Sequence, residues 1–177
     1  AGAVGINLED GEIERRGELY ETAQALERLN AARDAAAKAG VPIVINARTD
    51  VFLLGVGPKE ERLAHAVRRA NLYREAGADC LFVPGVRDPE TIGALAKQIN
   101  GPINILAGPT SPPVGELERL GVVRVSVGSW PGLAAFALAR NIAHELLGAG
   151  TYNFMSGAVS YPEANAMMKR RGPAPRS

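Results

Sequence analysis

The sequence has few of the features that would identify a class of protein directly. It contains one cysteine and 5% aromatic residues, and its formal net charge is only +1. A lone cysteine, Cys80, excludes an intrachain disulfide framework and favours a reducing compartment, so we expect a cytoplasmic protein. Basic and acidic residues are interspersed in nearly equal numbers, which does not favour a nucleic acid as partner. No apolar run approaches the length that crosses a bilayer, which argues against a membrane partner.

What the sequence does contain is the composition of an ordinary globular domain. Apolar residues make up 46% and charged residues 22% of its 177 residues, enough for one domain with a sizeable core. The sequence begins at Ala1, without an initiator methionine, inside what looks like a structural element. We therefore expect that a segment upstream of Ala1 has been left out.

Short apolar runs alternate with stretches of helical periodicity along the chain. The runs predict five strands, at 3–8, 41–45, 79–83, 103–106 and 122–127. Apolar residues at helical spacing predict helices at 18–39, 58–76, 88–98, 114–120, 132–147 and 162–171. Asp88 is the predicted N-cap of the third helix. Nearly continuous apolar strands that alternate with helices are typical of a parallel sheet covered by helices.

The glycine pattern favours a (β/α) barrel over a dinucleotide-binding fold, because no G-x-G-x-x-G follows any predicted strand. A (β/α)8 TIM barrel needs roughly 250 residues, so this chain would supply five of its eight units, with the N-terminal units missing. We expect a partial barrel over 1–150, a C-terminal linker and helix over 151–171, and a disordered tail over 172–177. An arc of five units leaves two sheet edges exposed and should need the missing units or a second copy of itself.

The second predicted strand, 41–45, is mostly β-branched and free of charge, which predicts a parallel strand buried on both faces. Four polar residues follow within five positions: Asn46, Arg48, Thr49 and Asp50. A strand that turns polar at its carboxyl end is typical of an α/β active-site edge. The Arg48 guanidinium offers a rigid fork that fits a carboxylate or an enolate. Alternatively, an Arg48–Asp50 ion pair only fixes a loop.

Barrel enzymes carry catalytic groups at the carboxyl ends of their strands. In this sequence those positions hold Glu9-Asp10, Asn46 to Asp50, Pro84-Gly85, Asn104 with Gly108, and Gly128-Ser129. Carboxylates suit a hard cation such as Mg²⁺, and Arg48 and Asn104 could hold the anionic part of a small acid. Together these groups are of the kind that stabilises the negative charge of an enolate. His65 and His144 fall within predicted helices and Cys80 opens a strand, so we expect structural roles for these three.

Four segments carry a resemblance to a known family: 5–10 (GINLED), 46–50 (NARTD), 77–84 (GADCLFVP) and 104–108 (NILAG). In order and spacing they resemble the isocitrate lyase/phosphoenolpyruvate mutase superfamily, from Gly2 to about Lys169. The resemblance implies a (β/α)8 barrel, usually tetrameric, that exchanges its last barrel helix between paired subunits. It also implies Mg²⁺ as cofactor and the making or breaking of C–C or C–P bonds beside a pyruvate-like enolate or an oxalate-like group.

The resemblance also assigns site residues. Glu9 corresponds to the acidic residue that reaches Mg²⁺ through water, and Arg48 to the arginine that contacts the α-oxyacid. We predict these two as the catalytic residues, with Asp10 as a further candidate metal ligand. The predicted substrate-binding residues are Arg48, Asn46, Asn104 and Gly85.

Two departures from the family narrow the predicted function. The family's Asp-x-Asp metal carboxylates have no counterpart in this sequence, and the Lys-Lys-Cys-Gly-His loop of the isocitrate lyases is replaced by 11–17 (GEIERRG). We expect a Mg²⁺-dependent lyase that acts on a small 2-oxo or 2-hydroxy carboxylate through an enolate-like intermediate, such as an oxaloacetate decarboxylase or a methylisocitrate lyase-like enzyme. The alternative is a non-catalytic barrel fragment or scaffold that lacks the metal-binding half. The expected partners are the carboxylate substrate and further copies of the chain, as a dimer or tetramer.

Overall fold

The computed structural model describes residues 2–12 and 17–169, which form an α/β fold with one parallel sheet. The strands are β1 (Gly5–Glu9), β2 (Val44–Arg48), β3 (Cys80–Phe82), β4 (Ile103–Leu106) and β5 (Arg124–Ser126). The α-helices are α1 (Thr22–Lys38), α2 (Arg62–Glu75), α3 (Pro89–Gln98), α4 (Val114–Arg119), α5 (Trp130–Leu147) and α6 (Tyr161–Met168). Short 3-10 helices precede α2 and α6, at Lys59–Glu61 and Asn153–Gly157.

The chain divides into two compact units, Ala1–Trp130 and Pro131–Ser177. The first contains the whole sheet and helices α1 to α4, and the second contains α6 and nearly all of α5. The predicted domain division after residue 150 stays a prediction. No helix in the described part of the chain is long and apolar enough to cross a bilayer.

The strands lie in chain order, β1-β2-β3-β4-β5, and each neighbouring pair is parallel, as the alternation of apolar runs and helices predicts. The register aligns one residue of each strand in a single row across the sheet: Glu9, Arg48, Phe82, Asn104 and Arg124. Side chains alternate between the two faces of a strand, so the members of one row point to the same face. We call this face of the sheet the site face.

The opposite face of the sheet packs against the helices and forms the core. Its strand residues Ile45, Leu81, Ile103 and Ile105 are almost completely buried and share one apolar cluster with residues of the helices. Burying each such side chain stabilises the fold by about 1.5–3 kcal/mol. The core thereby fixes the register, because a slip of one residue would turn the apolar side chains onto the site face.

The second strand begins later than predicted. The sequence predicts a strand at 41–45, whereas β2 spans Val44–Arg48. The amide of Val41 donates to the carbonyl of Ala36, so the start of the predicted strand belongs to the exit of α1. Val44 is 53% exposed on the site face, whereas Asn46 on the same face is 4% exposed, so the predicted burial on both faces holds for only part of β2. Arg48 is therefore the last residue of β2 and not a loop residue beyond it.

The first helix also begins later than predicted, at Thr22 instead of residue 18. The residues before it pair back with the chain that leaves β1. Glu12 N–H donates to the Glu18 carbonyl at 2.9 Å, and Tyr20 N–H donates to the Asp10 carbonyl at 2.8 Å. This antiparallel turn uses backbone groups that a longer α1 would need.

Other predicted elements are confirmed nearly to the residue. Helix α3 follows Asp88, whose carboxylate accepts the Thr91 N–H at 2.8 Å, as expected of an N-cap. Strand β4 occupies the predicted 103–106. Helix α6 begins one residue earlier than predicted, with Ser160 as its N-cap. The predicted end of this helix at 170–171 and the predicted tail at 172–177 lie outside the described residues.

Candidate functional site

Arg48 lies at the centre of a charged cluster at the carboxyl end of β2. Its Nη1 is 2.7 Å from Oε2 of Glu9, the neighbouring residue of the row on β1. Its Nε donates to Oδ1 of Asp50 at 2.6 Å, and its Nη2 donates to Oδ2 of the same carboxylate at 3.0 Å. The ring of Phe82, the next residue of the row, has its centroid 5.8 Å from the guanidinium carbon. We call Glu9, Arg48 and Asp50 the Arg48 cluster.

The two carboxylates fix the Arg48 guanidinium without using all of its donors. The bidentate pair with Asp50 sets the plane of the fork, and the contact with Glu9 holds a third nitrogen. The two terminal nitrogens carry four N–H groups between them, and among the described residues each nitrogen contacts one carboxylate oxygen. The Arg48 side chain is 24% exposed, so the remaining donors can reach an anion at the strand end. The structure thus contains the predicted Arg48–Asp50 pair and leaves binding capacity beside it.

Asp50 is the buried member of this cluster. The residue is only 3% exposed, and this burial raises the pKa of the Asp50 carboxyl above its usual value. The hydrogen bonds and the positive charge of Arg48 act against the rise, while the negative charges of Asp10 and Glu9 add to it. The ionised form of Asp50 therefore depends on Arg48 as its counter-charge.

Asp10, the second candidate metal ligand, is engaged on both of its carboxylate oxygens. Oδ1 accepts the N–H of Asp50 at 2.8 Å. Oδ2 accepts Nε–H of Arg69 at 2.8 Å and the hydroxyl of Tyr73 at 2.7 Å. With the residue 2% exposed, a metal bond at Asp10 would have to displace these partners. The structure gives Asp10 the geometry of a buried anchor, and its role as a metal ligand stays a prediction.

Two asparagines on the site face are buried with one polar atom unpaired. Asn104 is completely buried; its Oδ1 accepts the Ser126 hydroxyl at 3.3 Å, and its Nδ2 has no hydrogen-bond partner among the described residues. Asn46 donates from Nδ2 to Oδ1 of Asn7 at 2.7 Å, while its own Oδ1 is unpaired within the same part of the chain. Leaving such an atom unpaired costs about 1–3 kcal/mol. A hydrogen bond to either atom would remove this cost.

Gly85 shapes the strand-end surface through its backbone. Its φ is +94°, and a Cβ atom there would lie 2.7 Å from the backbone nitrogen of Leu53. The turn that follows β3 and the turn that follows β2 touch at this point, and any side chain would force them apart. The predicted contact of Gly85 with substrate stays a prediction.

The described residues supply little of a metal site by themselves. Among residues 2–12 and 17–169, no group of three or more His, Cys, Asp or Glu residues is placed to hold an ion. The Glu9 side chain is 41% exposed, and its Oε1 is not part of the Arg48 contact, which fits the predicted contact with Mg²⁺ through water. His65 lies in α2, and Cys80 is a buried free thiol in β3.

The sequence does not predict two candidate functional residues of α2, Arg69 and Tyr73. A signal is nevertheless present, because Ala66, Arg69, Ala70 and Tyr73 recur at helical spacing and form the buried stripe of this helix. Arg69 is 4% exposed. An arginine in an apolar stripe must find a partner for its charge, since burying it alone is very costly. In this fold the partner is Asp10.

Comparisons with known proteins agree with one another. The sequence model of the phosphoenolpyruvate phosphomutase family matches residues 1–147. An uncharacterized protein of Mycobacterium tuberculosis strain H37Rv is 33% identical over 166 residues, which cover 93% of this chain and 58% of that protein. The oxaloacetate decarboxylase of Rhodopseudomonas palustris strain BisA53 is 31% identical over 152 residues, which cover 83% of this chain and 49% of that protein.

A solved structure shares the fold as well. A protein of Burkholderia cenocepacia J2315, described as a lyase/mutase, superposes with a TM-score of 0.82 at 34% identity. The superposition covers 93% of this chain and 59% of that one. The chain thus spans between 49% and 58% of the length of the two curated relatives that it matches.

Proposed function

Because this chain belongs to the phosphoenolpyruvate phosphomutase family, we propose that it works as a lyase on a small 2-oxo or 2-hydroxy carboxylate. The proposed reaction breaks a C–C or C–P bond beside the carboxylate and passes through an enolate-like intermediate. Oxaloacetate, which appears in the name of the Rhodopseudomonas palustris relative, is the first substrate to test.

The observation that carries the proposal is the Arg48 cluster. It places a fixed guanidinium with spare donors at the carboxyl edge of a parallel sheet, where barrel enzymes bind their substrates. A guanidinium held by two carboxylates cannot swing away when the substrate binds. We propose that its free N–H groups bind the carboxylate and the 2-oxo oxygen of the substrate.

The same donors would act during the reaction. When the bond beside the carbonyl breaks, negative charge develops on the 2-oxo oxygen, and donors already aimed at that position stabilise it without reorganising. The unpaired Nδ2 of Asn104, in the same row as Arg48, supports a second donor role on this face. Glu9 and Asp50 then serve to orient Arg48.

Mg²⁺ is the proposed cofactor, and when bound it would supply positive charge at the developing enolate oxygen. Among the described residues, the half-exposed carboxylate of Glu9 fits an outer contact with the ion through water. We assign Asp10 to the support of Asp50, because three hydrogen bonds already occupy its two oxygens.

We further propose that the sheet is part of a (β/α)8 barrel and that the protein is a cytoplasmic homo-oligomer. The chain-ordered parallel sheet and the lengths of the relatives support the barrel. Large apolar side chains exposed on α5 support the oligomer. The single unpaired cysteine, Cys80, supports a reducing compartment.

The proposal is tested by assaying the protein that carries this chain for oxaloacetate cleavage, with and without Mg²⁺, against an enzyme-free Mg²⁺ blank. Arg48→Lys keeps the charge but removes the fork, and we expect it to lower kcat/KM about 100-fold. Arg68→Lys is the matched control, because Arg68 is exposed on α2. We expect its kcat/KM to equal that of the wild type.

Oxalate binding, measured by calorimetry, separates the two candidate functions. A lyase of this class should bind oxalate even where oxaloacetate is not its substrate, since oxalate resembles the enolate of pyruvate. If the wild-type protein neither binds oxalate nor cleaves any 2-oxo or 2-hydroxy diacid, the non-catalytic scaffold is the better description. An Arg48→Lys variant with unchanged kcat/KM would instead contradict the role of Arg48 alone.

A further inference from the structure

One buried guanidinium outside the Arg48 cluster ties three segments of the chain together. Arg69 of α2 donates from Nε to Oδ2 of Asp10 at 2.8 Å and to the Tyr73 hydroxyl at 3.0 Å. Its Nη2 donates to the carbonyl of Tyr20 at 2.6 Å, and its Nη1 to the hydroxyl of Thr22 at 3.2 Å. A single side chain therefore connects the exit of β1, the start of α1 and the middle of α2.

Asp10 connects this guanidinium to the Arg48 cluster. Its Oδ1 accepts the backbone N–H of Asp50 at 2.8 Å, and its own N–H donates to the Arg48 carbonyl at 3.1 Å. Asp50 in turn holds the fork of Arg48 through both carboxylate oxygens. A continuous chain of hydrogen bonds thus runs from Arg69 through Asp10 and Asp50 to Arg48.

Within residues 2–12 and 17–169, no other cationic donor contacts the side of Asp10 that faces α2. Its two oxygens accept one backbone N–H, one hydroxyl and one guanidinium N–H, and the guanidinium brings the only charge among them. Asp10 and Arg69 are 2% and 4% exposed, so solvent can replace neither partner. Removing Arg69 would leave a buried carboxylate beside Asp50, and the β1 exit would have to move to hydrate it.

We propose that Arg69 is a positioning residue: acting through Asp10 and Asp50, it sets the plane and location of the Arg48 guanidinium. The inference deepens the proposed function and rests on it for the role of Arg48. Arg69 itself does not touch the substrate. Its effect follows from geometry, because a displacement of about 1 Å at a substrate-orienting group can cost about 100-fold in rate.

The test measures the NMR signal of the Arg48 guanidinium and, separately, the rate of the reaction. The Nε–H of Arg48 is observed by ¹H–¹⁵N correlation spectroscopy in the protein that carries this chain, and kcat and KM are measured with oxaloacetate. In Arg69→Met we expect the Arg48 Nε–H signal to shift or broaden and kcat to fall about 100-fold. Arg69→Lys should restore part of both, because Lys keeps the charge beside Asp10 but cannot bridge all three segments.

Arg33→Met is the matched control for a loss of stability. Arg33 is a second clamping arginine, which donates to the carbonyls of Ile43 and Gly77 and pairs with Asp79. None of these partners belongs to the Arg48 cluster. We expect Arg33→Met to lower the unfolding temperature but to leave the Arg48 signal and kcat at their wild-type values.

Tyr73→Phe keeps the inference testable if Arg69→Met does not fold. It removes one hydrogen bond to Asp10 and leaves both charges in place, so we expect a smaller shift of the same signal. An unchanged Arg48 signal in both Arg69→Lys and Tyr73→Phe would overturn the inference, whatever happens to activity. If the wild type cleaves no 2-oxo acid, the proposed function fails, and the Arg48 signal alone still decides whether Arg69 positions Arg48.

Discussion

Arg48 places one positive charge between the carboxylates of Glu9 and Asp50, so the cluster carries a formal charge of −1 when both acids are ionised. An anionic substrate would be repelled by this cluster unless a further positive charge is present. The charge balance of the site therefore supports the proposed Mg²⁺. It also explains why Asp50 should matter for the pH dependence, because its buried carboxylate is the member whose ionisation is costly.

We expect Asp50 to set the acidic limb of the kcat/KM profile. Burial raises its pKa above 3.8, so protonation of Asp50 begins at a higher pH than for an exposed aspartate. Protonation removes the negative charge of Asp50 that pairs with Arg48. We therefore expect kcat/KM to fall as the pH drops through the raised pKa. In Asp50→Asn this limb should vanish and leave a low, flat profile.

The fall at acidic pH is not expected to be unfolding caused by Asp50. A carboxyl whose folded-state pKa is raised favours the folded state when protonated, and its contribution to stability is lost as the pH rises through that pKa. Asp34→Asn, at an exposed position of α1, is the matched control and should keep the wild-type profile. If Asp50→Asn shows the same acidic limb as the wild type, another group is responsible.

At Gly85 the expected effect is on stability. Alanine at a φ of +94° costs about 1–2 kcal/mol by itself, and its Cβ would lie within 2.8 Å of two backbone atoms of Leu53. We expect Gly85→Ala to lower the free energy of unfolding by more than about 2 kcal/mol in urea titrations. Gly115→Ala in α4, where a Cβ meets no atom within 4 Å, should be neutral or stabilising by up to about 1 kcal/mol. Equal effects at the two positions would contradict this explanation.

Among the elements, α1 is attached to the sheet through Asp79, which precedes β3. Its carboxylate accepts the N–H of Ile45 at 2.7 Å and pairs with Arg33 of α1. Partial burial acts to raise the pKa of Asp79, but the bond from Ile45 and the charge of Arg33 outweigh it and hold the pKa below 3.8. A carboxyl with a lowered folded-state pKa stabilises the fold above its unfolded pKa, and this stability is lost as the pH falls through the folded value.

Asp79→Asn should therefore destabilise the protein near neutral pH and have less effect in acid. The Asp79 side chain is 44% exposed, so water screens the ion pair and we expect a loss of about 1 kcal/mol or less. Urea unfolding at about pH 7 and about pH 3 measures the difference between the two conditions. A loss that is equal at both pH values would show that the carboxylate charge is not involved.

The elements also show what the sequence could and could not predict. The apolar runs predict all five strands, because a sheet covered by helices needs continuous apolar strands whatever the details of its turns. The start of β2 is mispredicted, since Val41 is β-branched and apolar but its amide bonds to the end of α1. The periodicity of apolar residues cannot reveal such a hydrogen bond. Nor does it predict the antiparallel turn that pairs with the β1 exit and delays the start of α1.

At the scale of the whole molecule, the register joins residues that are far apart in sequence. The sequence predicts Glu9, Arg48 and Asn104 separately as strand-end residues, and they lie in one row because neighbouring parallel strands are paired in order. The parallel topology made their proximity predictable. Arg69 was not predictable in the same way, because its partner Asp10 follows β1 and only the packing of α2 brings the two together.

The proposed oligomer gives the last prediction. Helix α5 exposes large apolar side chains, which a soluble surface rarely groups on one helix: Trp130, Leu133, Phe136, Leu138, Leu146 and Leu147. Phe136 is 74% exposed, so its replacement removes little from the core. If α5 packs against a second copy, Phe136→Glu would bury a charge in that contact and should shift the sedimentation mass toward the single chain.

Asn141→Glu is the matched control, since it adds the same charge to the same helix at a polar, exposed position. We expect it to keep the wild-type mass across a concentration series. Equal dissociation in both variants would mean that negative charge anywhere on α5 disrupts the assembly. A wild-type mass in Phe136→Glu would place the oligomer contact elsewhere, because a stable interface does not tolerate an unpaired buried carboxylate at its centre.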